Sequence, residues 1–321
     1  MILTVTINPL LERRFYYPDI DLSSVNRDGN LLLKAGGKGI NVNRQLNKLK
    51  IPNSALLFSG GNNGKLYRES LRREGINFSD IKIKSETRDA SIIINQSNRE
   101  VFSFFGKDPL VSSDEVNEFL LKLEKMIATY EMVVFSGSSP CREADIIISE
   151  GIKIANRLDK ISVCDTYGNN LKRCLDASPT ILHNNVEEIK NSLGFELKSN
   201  NDYTLFLKNL YEKGIKQAYI TNASEPLYAF NFDFHYKVTL PQINTLDSTG
   251  SGDAFVAGIV YGWYKKLTFE EQLKFASALG ICNAESVEVC EVETEDINQY
   301  IDNIQIESIG KRIKEINDMP G

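Results

Sequence analysis

Three observations place this chain in the α/β class, with a mainly parallel central sheet. Short apolar runs rich in β-branched residues alternate with segments of helical period, the pattern of parallel strands joined by crossover helices. Two glycine-rich turns, about 210 residues apart, each stand directly before a helical pattern. With 321 residues, 42% hydrophobic and 25% charged, the chain has the composition of a globular protein and the length to bury a large core as one large domain or two.

Taken in order, residues 2–7 read as a first strand. Residues 14–33 are polar and irregular, with Tyr16, Tyr17 and Pro18, and break the alternation. A glycine turn then opens a helix near residue 38. Residues 55–59 are a strand and 65–73 a helix. Residues 90–105, S-I-I-I-N-Q-S-N-R-E-V-F-S-F-F after Ala90, read as a hairpin turning at Ser97-Asn98. Residues 114–129 are a helix, entered through the capping-box spacing Ser112-x-x-Glu115. Strands follow at 132–135, 161–164 and 218–221. In the helix after Asp253, Ala254, Ala257, Gly258 and Gly262 fall on nearby turns and predict close packing. There is no internal repeat. The tail after Ser308 is charged, and Met319-Pro320-Gly321 is expected to fray.

The most informative run is D-S-T-G-S-G-D at 247–253, followed by A-F-V-A-G-I-V-Y-G. Gly250 and Gly252 free the backbone, and the first turn of the helix adds unpaired N–H groups and a positive dipole end. Gly250, Ser251 and Gly252 thus make a cradle for anionic oxygens, with Asp253 at its mouth as a base for an attacking hydroxyl. The helix end is expected to lower the pKa of Asp253. A calcium loop is excluded because Gly258 stands at the twelfth position. A Walker loop is excluded because the lysine is missing. The second run, A-G-G-K-G-I-N-V-N at 35–43, is another glycine turn, now carrying Lys38. Its spacing does not fit a dinucleotide fingerprint.

Together the two runs resemble the signatures of the ribokinase-like (PfkB-type) carbohydrate kinases. The opening T-V-T-I-N-P-L-L-E is similar to the start of the phosphosugar branch, which holds 1-phosphofructokinase and tagatose-6-phosphate kinase. E-T-R-D at 86–89, F-S-G-S-S-P at 135–140 and N-N-V-E-E at 184–188 follow in the family's order. Three positions depart from the pattern. Glu12 replaces the usual aspartate. His183-Asn184-Asn185 replaces the lysine-proline-asparagine start of the K-P-N-x-x-E run. Thr221-Asn222-Ala223-Ser224-Glu225-Pro226 has lost both glycines of T-x-G-x-x-G.

The resemblance implies a three-layer αβα sandwich with a small β lid. The core would comprise residues 1–8, 34–87 and 107–321, and the lid 9–33 and 88–106. It implies ATP-dependent phosphorylation of a ketohexose phosphate, with Mg²⁺ and a monovalent cation such as K⁺ as cofactors and a homodimer through the lid. Asp253 would be the base. Glu12, Gly37 and Asn41 would bond sugar hydroxyls, with Ser138 beside them. Lys38 and Arg88 would hold the phosphate already on the sugar. Asn185 and Glu188 would support the metal, and Thr221 and Asn283 would lie on the nucleotide side. A kinase of an unphosphorylated sugar or nucleoside, or a non-catalytic sugar sensor, are the alternatives. Lys38 and Arg88 argue against the first, and the intact 250–253 run against the second.

A net charge of −6 argues against nucleic acid or an anionic membrane as partner. Anionic substrates then require a site that is locally positive. No run approaches the ~18 apolar residues of a membrane span, and the start M-I-L-T-V-T-I-N-P is not a signal peptide. Cys141, Cys164, Cys174, Cys282 and Cys290 show no C-x-x-C spacing, which fits reduced thiols in the cytoplasm. His183 and His235 have no paired ligand spacing, and no metal-ligand set is expected from side chains alone.

Overall fold

A computed structural model describes residues 1–311. The strands are β1 (Ile2–Thr6), β2 (Leu10–Tyr17), β3 (Asn30–Gly36), β4 (Asn53–Gly60), β5 (Phe78–Ile83), β6 (Asp89–Asn95), β7 (Val101–Phe105), β8 (Met132–Ser136), β9 (Ile161–Asp165), β10 (Ile181–Asn185), β11 (Gln217–Asn222), β12 (Glu225–Asn231), β13 (Phe234–Thr239) and β14 (Gln305–Lys311). The α-helices are α1 (Lys38–Lys48), α2 (Gly61–Arg73), α3 (Ser113–Thr129), α4 (Ile146–Arg157), α5 (Leu171–Asp176), α6 (Val186–Leu193), α7 (Asn200–Glu212), α8 (Ser251–Lys265), α9 (Phe269–Ala284) and α10 (Asn298–Ile301).

Ten strands form one sheet in the order β14-β13-β12-β11-β10-β9-β8-β1-β4-β5. From β11 to β5 every pairing is parallel; β12, β13 and β14 continue it antiparallel. Alternate residues of each central strand feed opposite cores, as the two-residue period of a strand requires. On β8, Val133 and Phe135 join a core with α3 and α4, while Met132 and Val134 join one with α1, α8 and α9. The result is the expected three-layer sandwich. Ser112 caps α3 in the anticipated capping box. Gly258 and Gly262 let α8 lie against α9: a Cβ on Gly258 would stand 2.5 Å from Ala276 Cα.

The second sheet has the order β3-β2-β6-β7. β6 and β7 are the anticipated hairpin, turning through residues 96–98. The irregular reading of residues 14–33 is corrected at both ends: 14–17 complete β2 and 30–33 begin β3. Charges hid the strands. Arg14 and Lys34 occupy buried positions where a strand pattern calls for apolar residues, and they are buried because they are paired. Arg14 Nε donates to Glu12 Oε2 (2.9 Å), and Lys34 Nζ to Glu288 Oε2 (2.9 Å). The expected fraying of 319–321 lies outside the described residues. All five cysteines are free. No helix among the described residues is long and apolar enough to cross a membrane.

Candidate active site

The carboxyl ends of β1, β8, β9, β10 and β11 line one edge of the parallel sheet, where open α/β folds bind ligands. The helix starts of α1 and α8 reach the same place. Gly250 is the N-cap of α8 with φ +80°, a left-handed conformation that suits glycine. A Cβ there would also meet Val289 Cγ1 at 2.3 Å. Gly252 is different: it lies inside the helix outside the left-handed region, and a Cβ on it would meet only His183 Cε1, at 3.3 Å. The special torsion expected of the turn therefore belongs to Gly250. Ser251 N–H donates to Ser248 C=O (3.1 Å), so this member of the expected cradle is taken; Gly252 and Asp253 N–H fall in the first turn, where the helix supplies no acceptor.

Asp253 is buried, with Oδ2 accepting from Asn41 Nδ2 at 2.8 Å. Burial pushes its pKa up to about 7, against the opposing pull of Lys38 and with help from the Asp165 charge. The helix dipole alone would lower the value, as the sequence predicts, but desolvation outweighs it. Asn41, expected to bond a sugar hydroxyl, is held at both ends by the protein, with one N–H and one lone pair left over. Its Oδ1 accepts from Arg44 Nη1 (2.9 Å) while its amide nitrogen serves Asp253.

Lys38 Nζ lies 3.1 Å from both Asp165 Oδ1 and Glu188 Oε1, and 5.3 Å from the centre of the Tyr167 ring. Burial opposes its charge, but Asp165, Glu188 and Asp253 outweigh that and hold its pKa well above the ordinary lysine value. Arg88 sits in another cluster. Nη1 donates to Asp108 Oδ1 (3.0 Å), Nη2 to Asn8 C=O (3.0 Å) and Nε to Pro9 C=O (3.4 Å). Asn8 Nδ2 links this cluster to Ser138 Oγ (3.2 Å). Gly137 backs onto Lys38, so the two cations border one region but have no shared partner. The structure does not bear out the expectation of a locally positive site: Arg88 is ion-paired with Asp108. Around Lys38 one ammonium faces three carboxylates.

Asn185 caps α6: its side chain accepts Glu188 N–H (2.7 Å), and Glu188 Oε2 accepts Asn185 N–H (3.1 Å). Glu188 Oε1 remains directed to Lys38. Thr221 Oγ1 is 3.2 Å from His183 Nε2. Glu12 is held by Arg14, and Gly36 passes so close that a Cβ would stand 2.4 Å from Glu12 Oε1. Gly37 caps α1 at φ +110° and its C=O accepts Ile40 and Asn41 N–H.

Asn283 packs under the 247–253 turn. It is fully buried, donating to Thr249 C=O (2.8 Å) and Ser251 Oγ (3.2 Å) and accepting Cys290 N–H (2.7 Å). It ties the glycine turn to the segment after α9.

Sequence reasoning passed over Asp165 and treated His183 as isolated. Asp165 is wholly buried at the end of β9, with Oδ1 between Lys38 and His183 Nδ1 (2.9 Å). Burial would raise its pKa, but Lys38 and His183 bring it below the ordinary carboxylate value. Its Oδ2 is buried without a hydrogen-bond partner. The only signal was a charged residue ending an apolar strand, V-C-D at 163–165.

The pfkB family carbohydrate kinase pattern matches residues 11–296. The chain belongs to this family. A 1-phosphofructokinase of Borreliella burgdorferi is 31% identical over 313 residues, covering 96% of this chain and 99% of that one. A tagatose-6-phosphate kinase of Staphylococcus epidermidis is 28% identical over 309 residues, covering 95% and 99%. The structure of a possible 1-phosphofructokinase from Thermotoga maritima superposes with TM-score 0.86 at 26% identity, covering 96% of this chain and 99% of that one. Phosphofructokinase-2 of Escherichia coli, solved with potassium, shares the fold at TM-score 0.84 and 20% identity, covering 94% and 98%. The kinase thus carries both family signatures on the family's scaffold, and it is a phosphotransferase using ATP.

Proposed function

We propose that this kinase transfers the γ-phosphoryl group of ATP to a ketohexose phosphate, fructose 1-phosphate or tagatose 6-phosphate, giving the 1,6-bisphosphate. The observation that carries the reading is the meeting at one sheet edge of three parts. They are a helix-start cradle with a buried carboxylate near pKa 7, an ammonium beside it, and an arginine at the far side. In the transition state charge builds on the equatorial phosphoryl oxygens, and the protein's task is to place and neutralise it. The N–H groups of Gly252 and Asp253 and the ammonium of Lys38 face that charge. Asp253 accepts the hydroxyl proton, and a pKa near 7 suits a base working near neutral pH. Asn41 holds its carboxylate in place.

The donor set fits Mg²⁺, which takes oxygen ligands and keeps most of its waters: Glu188 Oε1 and the unpartnered Asp165 Oδ2 would hold it, with Asn185 fixing Glu188. When bound it would neutralise the β- and γ-phosphate oxygens. Asp247, whose Oδ1 accepts Thr249 N–H (2.8 Å), offers an oxygen for a monovalent cation at the start of the same loop. Exchange of KCl for choline chloride tests it. In this reading the small sheet is the lid over the sugar, residues 9–33 and 88–106. Its exposed Leu31, Leu32, Phe104 and Phe105 would serve a homodimer, checked by sedimentation. The place of action would be the cytoplasm.

A substrate panel with ADP detection decides between fructose, fructose 1-phosphate, tagatose 6-phosphate and fructose 6-phosphate. Equal use of free fructose would move the reading to an ordinary hexose kinase. One feature favours that second reading: Arg88 already has three acceptors in the protein. Asp108 is the one that can yield, being 45% exposed. If Arg88 grips the sugar's phosphate, Arg88→Ala removes one partner of a charge pair, typically ~2–5 kcal/mol. KM for the phosphosugar then rises roughly 30-fold or more at about 1.4 kcal/mol per decade, and KM for ATP hardly moves.

A further inference from the structure

We propose that Arg44 is a positioning residue for the base, acting through Asn41. Three buried groups stand in series from α1 to α8: Arg44 Nη1 donates to Asn41 Oδ1 at 2.9 Å, and Asn41 Nδ2 donates to Asp253 Oδ2 at 2.8 Å. A primary amide can face Asp253 with either end. A guanidinium has donors only, so it accepts one end of the amide and refuses the other. Arg44 therefore fixes the Asn41 oxygen on itself and turns the NH₂ toward the carboxylate. The opposite rotamer would set amide oxygen against carboxylate oxygen.

Arg44 is itself well anchored. Nε donates to Glu74 Oε2 (2.8 Å), and Nη2 donates to Ala35 C=O just before the first glycine turn. Glu74 in turn accepts Ala35 N–H (3.1 Å) and the Ser70 hydroxyl (3.2 Å). The anchor ties the end of α2 and the end of β3 to α1, and through Asn41 to Asp253 on α8. The consequence is chemical as well as mechanical. Donation to the ionised form of Asp253 favours that form, against the burial that disfavours it. The other groups facing Asp253 are Lys38 on α1, Asp165 on β9, Glu188 on α6 and Cys290 after α9. Arg44 makes no hydrogen bond or ion pair with any of these and reaches only Cys290 electrostatically, so its direct hydrogen-bonded route to the base runs through Asn41.

The test is a pH profile combined with a double-mutant cycle, and it rests on Asp253 being the base. Arg44→Lys keeps the ion pair with Glu74 and gives up the fork. We expect kcat at pH 7 to fall about tenfold and the acid limb of kcat/KM to move up by about one pH unit, the scale of a hydrogen bond to a charged group. Asn41→Ala should move the limb the same way, and adding Arg44→Lys to it should cost nothing more. If Arg44→Lys misfolds, the pair Arg44→Met with Glu74→Leu removes both charges of the anchor together, a change that folds often tolerate. That variant should show the same shifted limb. An unshifted limb in the folded variant, or losses that multiply in the cycle, would overturn the proposal. Failure of the underlying reading looks different: Asp253→Asn would then keep near-normal turnover.

Discussion

The two glycine turns look alike in sequence and do different work in the structure. In the first, the glycines are filled from behind. A Cβ on Gly39 would meet Thr6 Oγ1 at 2.3 Å and Val5 C=O at 2.8 Å; one on Gly37 would meet Thr6 Cγ2 at 2.9 Å. Those glycines let α1 sit directly on β1. In the second turn only Gly250 is crowded, by Val289, while Gly252 opens toward the site with His183 as its one close neighbour. The first turn is a packing joint that delivers Lys38 and Asn41. The second, in the proposed function, is the anion site, and its uncrowded side is the one that would face the phosphate. They meet at the Asn41–Asp253 hydrogen bond.

Breaking the chemistry of the second turn should have the largest effect. Asp253→Asn keeps the shape and loses the base, so kcat should drop by ~10²–10⁴ in steady-state assays, with KM little changed. The same variant reports on stability with a definite sign. The pKa of Asp253 is raised in the fold, to about 7 from an ordinary 3.8. Between those values the folded state holds a proton that the unfolded state has released, so stability falls as pH rises through that window. Asp253→Asn should melt above the parent at pH 8.5, with the gap narrowing toward pH 5.5. A gap that widens on acidification would contradict the buried, protonatable carboxylate.

The packing joint comes next. Gly39→Ala should cost about 1–3 kcal/mol, the range for over-packing, because backbone as well as Thr6 blocks the new methyl. Melting temperature and activity should fall together. Gly252→Ala sharpens the contrast. With ordinary torsions and only a side chain to nudge, its melting should stay within about 0.5 kcal/mol of the parent, while KM for ATP rises about tenfold. If Gly252→Ala melts early, both turns are packing joints and the distinction fails.

How much of this was legible follows from the same contrast. The glycine turns, Lys38 and Asp253 are contiguous in sequence, so the chemistry of each run could be read without knowing the fold. The alternation that set the large sheet came from apolar strands whose burial needs no partner. β2 and β3 were not legible, because Arg14 and Lys34 are buried only by virtue of Glu12, Glu288 and Glu291, two of them some 250 residues away. Asp165, His183 and Arg44 gain meaning only where three parallel strands and two helices converge. The raised pKa of Asp253 was out of reach for a similar reason: local sequence reveals the helix end but not the depth of burial that outweighs it.

The smallest expected effect lies at the lost glycines on the nucleotide side. Ala223, where the family pattern has glycine, keeps a left-handed φ of +46° in the turn between β11 and β12. The turn holds this residue left-handed, a conformation that suits glycine, and with alanine there the side chain bears the strain. An L-residue in this region costs ~1–2 kcal/mol, and glycine gives back ~0.5–1 kcal/mol in unfolded-state freedom. Ala223→Gly should therefore stabilise the fold by roughly 0.5 kcal/mol, read as a small rise in denaturant midpoint at unchanged slope. Its effect on KM for ATP separates two histories of the turn. A fall in KM would mean that the Ala223 methyl stands where nucleotide approaches. An unchanged KM with the same gain in stability would mean that the strain is local and the nucleotide is gripped at the 250–253 turn alone. A loss of stability would show that Ala223 is not held left-handed in solution, and that the backbone of this turn has moved away from the glycine pattern along with its sequence.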